Sequence, residues 1–113
     1  MVFNEQELLK YTEGDSSLSA ALLQMAVSDM PDFLEKAQEE RKMNDLVSTA
    51  EFLHKVKGIA GCIGAVQIHS LCTDMESDIK AVQSFVFFDE QIDNLGDAVS
   101  DFIQDQSVQK YMM

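Results

Sequence analysis

Cysteine is scarce in this chain: Cys62 and Cys72, ten residues apart, are all there is. Two thiols at that spacing suggest no disulfide framework and point to a reducing, cytoplasmic compartment. No apolar run approaches the ~20 residues that a membrane-spanning helix needs. No charged-then-apolar leader precedes the first polar residues, so neither a membrane nor an export route is expected. Cations are few as well, with 8 Lys and Arg against 20 Asp and Glu and a net charge of −12. That balance argues against a nucleic-acid partner, because a phosphate backbone needs a cationic surface. Residues 74–105 alone carry nine Asp or Glu and one cation, Lys80, which reads as a solvated acidic face.

What is present is an ordinary globular mixture, 46% apolar and 25% charged over 113 residues, enough for one domain with its own core. Asn4 with Glu7 makes a capping-box-like start, with Phe3 and Leu8 as its hydrophobic staple. A short helix follows to about Thr12. Asp15 or Ser16 caps a long helix carrying Leu18, Leu22 and Met25 on one row and Leu23, Ala26, Met30, Phe33 and Ala37 on the next. Pro31, the one proline, should kink or split it. Asn44 or Asp45 opens a third helix and Gly64 closes it. A fourth runs from about Val66 to Val82 with Ile68, Leu71, Cys72, Met75 and Ile79 on one stripe. Phe85 to Phe88 is an apolar connector, and Asp89 caps a last helix with Ile92, Leu95, Val99, Phe102 and Ile103 inward. The expected fold is all-α, an antiparallel four-helix bundle with an additional short N-terminal helix. It forms a single domain over residues 3–106, and residues 107–113 make a frayed tail. The seven methionines are expected to fill the core.

The third helix carries the most informative stretch, His54-Lys-Val-Lys-Gly-Ile-Ala-Gly-Cys-Ile-Gly-Ala65. At about 100° per residue from Leu46, its apolar residues Thr49, Phe52, Leu53, Val56, Ala60 and Ile63 fall in an arc centred near roughly 290°. His54 lies at about 80°, Gly61 at about 60°, Gly58 at about 120° and Glu51 at about 140°, on the opposite side. A glycine inside a helix costs about 1 kcal/mol relative to alanine. Two of them beside an outward histidine are explained by close approach of another molecule. Lys55 and Lys57 give this acidic chain a local positive spot near His54, suited to offset the charge of an anionic group.

The pattern His54-x-x-Lys57-Gly58-x-Ala60-x-x-x-Gly64-Ala65 resembles the signature of histidine-containing phosphotransfer (HPt) domains. The likeness extends over about residues 3–106 and includes Leu71-Cys72-x-x-Met75-Glu76. Ile59 and Cys62 depart from it, at positions where small or polar residues are usual, and both bear on partner identity. The resemblance implies a kinked second helix and a phosphorelay intermediate. His54 would accept a phosphoryl group from a receiver-domain aspartate and pass it to another. Lys57 would stabilise the phosphate, and Glu51, Lys55, Gly58, Gly61 and Cys62 would meet the partner. Implied partners are the receiver domains of a hybrid sensor kinase and of a response regulator, with magnesium held by the receiver and no cofactor on this chain. The protein would be a monomer without autokinase activity, since no Gly-rich nucleotide loop is present. The opening Met1 and the compact ending point to a free-standing protein.

Duller readings exist for each residue. His69 sits at the flank of its helix and reads as a boundary residue, and Cys72 as a small core hydrophobe. A zinc site from His54, Cys62, His69 and Cys72 fits no closed ligand pattern, so no metal is expected. The alternative function is a helical protein-interaction module that carries no phosphate.

Overall fold

The computed structural model describes residues 2–112; Met1 and Met113, and with them the readings attached to either terminus, lie outside the described residues. Six helices follow one another: α1 Glu5–Thr12, α2 Ser16–Lys42, α3 Leu46–Ile63, α4 Val66–Val82, α5 Phe88–Gln104 and α6 Gln106–Gln109. Short connections force α2 to α5 to run antiparallel, and they make the four-helix bundle with α1 laid against α2 and α3. The molecule measures 41 × 22 × 20 Å. At 1.5 Å per residue, the 27 residues of α2 span about 40 Å, so this helix alone sets the long axis.

Each helix start has a local cause. The Asp15 carboxylate accepts from the Leu18 amide at 2.9 Å, and Asp45 accepts from Ser48 at 3.0 Å. The Ser48 amide and hydroxyl hold the Asp45 carboxyl below its ordinary range. The Asn4 side chain caps α1 through the Gln6 amide. Gly64 closes α3 in the left-handed region at φ 77°, and a Cβ built there would overlap the carbonyl oxygen of Asn4. The Asn4 amide in turn donates to the Gly64 carbonyl at 2.8 Å. Glycine is therefore required twice over, by conformation and by approach, and the chain start is pinned to the end of α3.

Leu23, Met30, Leu53, Val56, Ile68, Cys72, Met75, Leu95 and Phe102 form the middle of the core. Several details differ from the sequence reading. Helix α2 runs through Pro31 without a break. Its buried row is Ser19, Leu23, Ala26, Met30, Leu34 and Ala37, whereas Leu18 and Met25 are exposed and Leu22 and Phe33 are half-buried. Leu71 and Ile103 likewise lie at the rim of the core rather than within it. The methionines divide: Met30 and Met75 fill the core and Met112 packs on it, but Met25 and Met43 face solvent. Helix α5 starts two residues early, at Phe88, because that ring is buried edge-on against Phe85. Asp89 therefore lies inside the first turn and pairs with Arg41 at 3.3 Å instead of capping.

The tail is not frayed over its described length. Val108 of α6 is fully buried, Lys110 pairs with Glu5 at 2.8 Å, and the Tyr111 carbonyl accepts from Gln24 at 3.2 Å. One apolar residue and two polar ties are enough to hold the segment over α1 and α2. Among the described residues no helix is long and apolar enough to cross a membrane.

Candidate functional site

The buried residues of α3 are Thr49, Leu53, Val56, Ala60 and Ile63, so the outward face carries the candidate residues where the helical spacing puts them. The His54 side chain is 73% exposed. Glu51, Lys55, Gly58 and Gly61 are exposed with it, and Lys57 and Cys62 are half-buried at its two margins. The seven residues therefore share one helix surface centred on the imidazole.

The two glycines differ. Around Gly58 nothing lies within 4 Å of where a Cβ would stand, so the space beside His54 is open there. At Gly61 a Cβ would touch the His69 ring of α4, at 3.4 and 3.7 Å. The expectation that both glycines serve only an outside visitor is corrected at Gly61: that position also lets α4 and its histidine lie close. His69 is accordingly half-buried against α3.

The sequence reading missed the residue that touches His54. Glu76 of α4 places Oε2 3.3 Å from His54 Nδ1. Only 22% of the Glu76 side chain is exposed, and its other oxygen, Oε1, is buried with no hydrogen-bond partner. An unpartnered buried carboxylate oxygen costs about 1–3 kcal/mol. The signal was available: Glu76 adjoins core Met75 on the rim of the apolar stripe, where a carboxylate must be half-buried. What the sequence could not supply was the crossing of α3 and α4 that brings residues 54 and 76 together.

With Nδ1 facing a carboxylate acceptor, the neutral ring carries its proton on Nδ1 and leaves the Nε2 lone pair toward solvent. That contact orients the ring and favours this tautomer. Behind it, burial first and the Glu76 charge second push the Cys72 thiol up to about 12, against an opposing effect of Lys57. Lys57 is thus electrostatically coupled to the inner, α4 side of the site. Cys72 is buried in the core and unfit as a nucleophile. Cys62 instead lies beside Tyr11 of α1 and raises the ordinary value of that hydroxyl. Among the described residues no group of three or more His, Cys, Asp or Glu is placed to hold a metal ion. A groove of about 790 Å³ runs along α3 and α4 past His54, Lys57, Thr73 and Glu76 to Val47 and Lys80.

The Hpt domain family model matches residues 21–105, which include every candidate residue and Glu76. No curated protein matches the chain. Among solved structures, the HPT domain from a hybrid histidine kinase of Shewanella is similar in fold, with a TM-score of 0.82 at 22% identity. The match covers 98% of this chain and 93% of that one. A helical bundle throughout, a histidine presented on its third helix and a family match over most of its length agree: this chain belongs to the Hpt domain family, whose members carry phosphoryl groups on histidine in phosphorelay signalling.

Proposed function

We propose that this protein is a phosphorelay intermediate whose His54 takes a phosphoryl group from the aspartate of one receiver domain and yields it to that of another. The observation that carries the reading is the exposed imidazole with Nδ1 on Glu76 and open space beside Gly58. Receiver domains of a hybrid sensor kinase and of a response regulator are the proposed partners. Magnesium held by the receiver would polarise the phosphoryl group there, and this chain's residues do the remainder.

In the forward step the Nε2 lone pair attacks phosphorus, and the bond from phosphorus to the aspartyl oxygen breaks. The electron pair leaves on the aspartate carboxylate. The ring becomes cationic, still holding its proton on Nδ1, and Glu76 faces that charge at 3.3 Å. Return to a second aspartate reverses each change, and the leaving group is again neutral imidazole. No proton has to move in either direction. Lys57 offsets charge on the phosphoryl oxygens, while Glu51, Lys55, Gly58, Gly61 and Cys62 meet the partner. The chain acts as carrier rather than kinase, as a monomer in the cytoplasm.

The test is transfer from a receiver domain charged with radiolabelled acyl phosphate. Acid-labile, base-stable label should appear on the wild type and vanish in His54→Gln. Label that persists in that variant would remove His54 from the mechanism. Tight receiver binding with no label on the wild type would favour the interaction module that carries no phosphate.

A further inference from the structure

Beside His54, on the side away from Glu76, two lysines from different helices sit over one pair of rings. Phe33 of α2 and Phe52 of α3 stack at 6.2 Å with planes 27° apart. Lys36 Nζ lies 5.9 and 6.0 Å from the Phe33 and Phe52 centroids, and Lys55 Nζ lies 5.4 and 5.1 Å from the same two. Both lysines are exposed and both rings half-buried.

The arrangement is odd for so acidic a chain. Asp32 and Glu40 stand four residues either side of Lys36, and Glu51 stands four before Lys55. Carboxylates at that spacing pair with lysine on a helix surface. Yet the ion pairs within 4 Å among the described residues are Arg41 with Asp89, His54 with Glu76 and Lys110 with Glu5. Both ammonium groups instead share one aromatic platform. Both cations are thereby left to pair with an anion from outside.

We propose that this platform is a docking site for carboxylates on the receiver domain that exchanges phosphoryl groups with His54. The proposal rests on the relay reading, which requires the receiver to cover His54. Lys55 is the next residue in the chain, so any such partner reaches the platform without a separate interface. The ring faces supply flat apolar contact, and the two cations supply attraction and register for an acidic partner in an otherwise repulsive field. Lys36 and Phe33 thereby bring α2 into a surface that the sequence assigned to α3 alone.

The test uses the full chain and the receiver of the source organism that transfers fastest to the wild type, charged by acetyl phosphate with magnesium. Lys36→Glu should lower kcat/KM for transfer about tenfold at low ionic strength. The deficit should shrink to about twofold at 1 M salt, where the screening length is about 3 Å. Lys36→Arg should keep the wild-type rate. Labelling of His54 by phosphoramidate, which needs no receiver, should be equal in all variants. Lys36→Gln, with an intermediate deficit, covers the case of a Lys36→Glu protein that fails to fold. Equal kcat/KM for wild type and Lys36→Glu at low salt overturns the platform while leaving the relay standing. A deficit unchanged at 1 M salt, or matched in the phosphoramidate reaction, also overturns it, because the lysine then acts through structure. Self-association that Lys36→Glu abolishes would give the platform to a second copy and overturn the receiver as occupant. Absence of label on the wild type from every receiver sinks the relay reading itself.

Discussion

Replacing Glu76 with glutamine separates chemistry from packing at this site. The carboxylate gives one oxygen to His54 Nδ1 at 3.3 Å and leaves the other buried without a partner. A hydrogen bond to a charged group is worth about 1.5–3 kcal/mol when dry. His54, however, is 73% exposed, and exposed charged pairs deliver about 0.2–1 kcal/mol. Taking about 0.5–1 kcal/mol as the stabilisation of the cationic ring that is lost, transfer in Glu76→Gln should slow about two- to fivefold. Stability should move the other way or not at all, since the change removes a half-buried charge with an orphaned oxygen. Quenched-flow transfer from a charged receiver gives the rate, and thermal unfolding by circular dichroism gives the stability. A slower but equally stable or more stable variant is the expected pair of results. An unchanged rate with a lowered melting temperature would refute the reasoning and leave Glu76 a packing residue.

Other perturbations follow from the same geometry. Gly64→Ala should cost about 1–3 kcal/mol through its positive φ and its overlap with Asn4, lowering the melting temperature by roughly 4–12 °C; an unshifted melt would contradict the pinned junction. Gly58→Leu should raise the melting temperature, since a better helix former enters a position with nothing within 4 Å of its Cβ, and should slow transfer, whereas Gly61→Leu should lose stability by displacing His69. Equal melting temperatures for the two would show that the α3–α4 contact at Gly61 is slack. For the thiols, Cys72 is buried and pushed up to about 12, so it stays protonated and unreactive at pH 8. A thiol reagent at that pH should modify one cysteine, Cys62, until the chain unfolds. Two fast equivalents in the native state would contradict the burial.

The part of this architecture that sequence made legible is the part governed by local rules. Asp45 and Gly64 bound α3 because capping and the left-handed turn depend on residues within a few positions, and the helical period alone turns His54 and Gly58 outward. Tertiary contacts were less readable. Glu76 meets His54 across two helices, 22 residues apart, and Lys36 joins Lys55 only because α2 and α3 pack side by side. On α2 the sequence offers two rows without deciding between them, because Leu18, Leu22 and Met25 are as apolar as the residues one row over; which row faces inward is set by α3, α1 and α5. The tail failed for a related reason: a single valine, Val108, with the Lys110–Glu5 pair is too sparse a pattern to announce a docked helix.

The most direct measurement of the central claim is the position of the phosphoryl group on the ring. Nitrogen-15 and phosphorus-31 spectra of the protein charged by its receiver distinguish the two imidazole nitrogens. With Glu76 holding the proton at Nδ1, phosphorus should be found on Nε2 of His54 and nowhere else. Phosphorus on Nδ1, or on His69 or a carboxylate, would contradict the account.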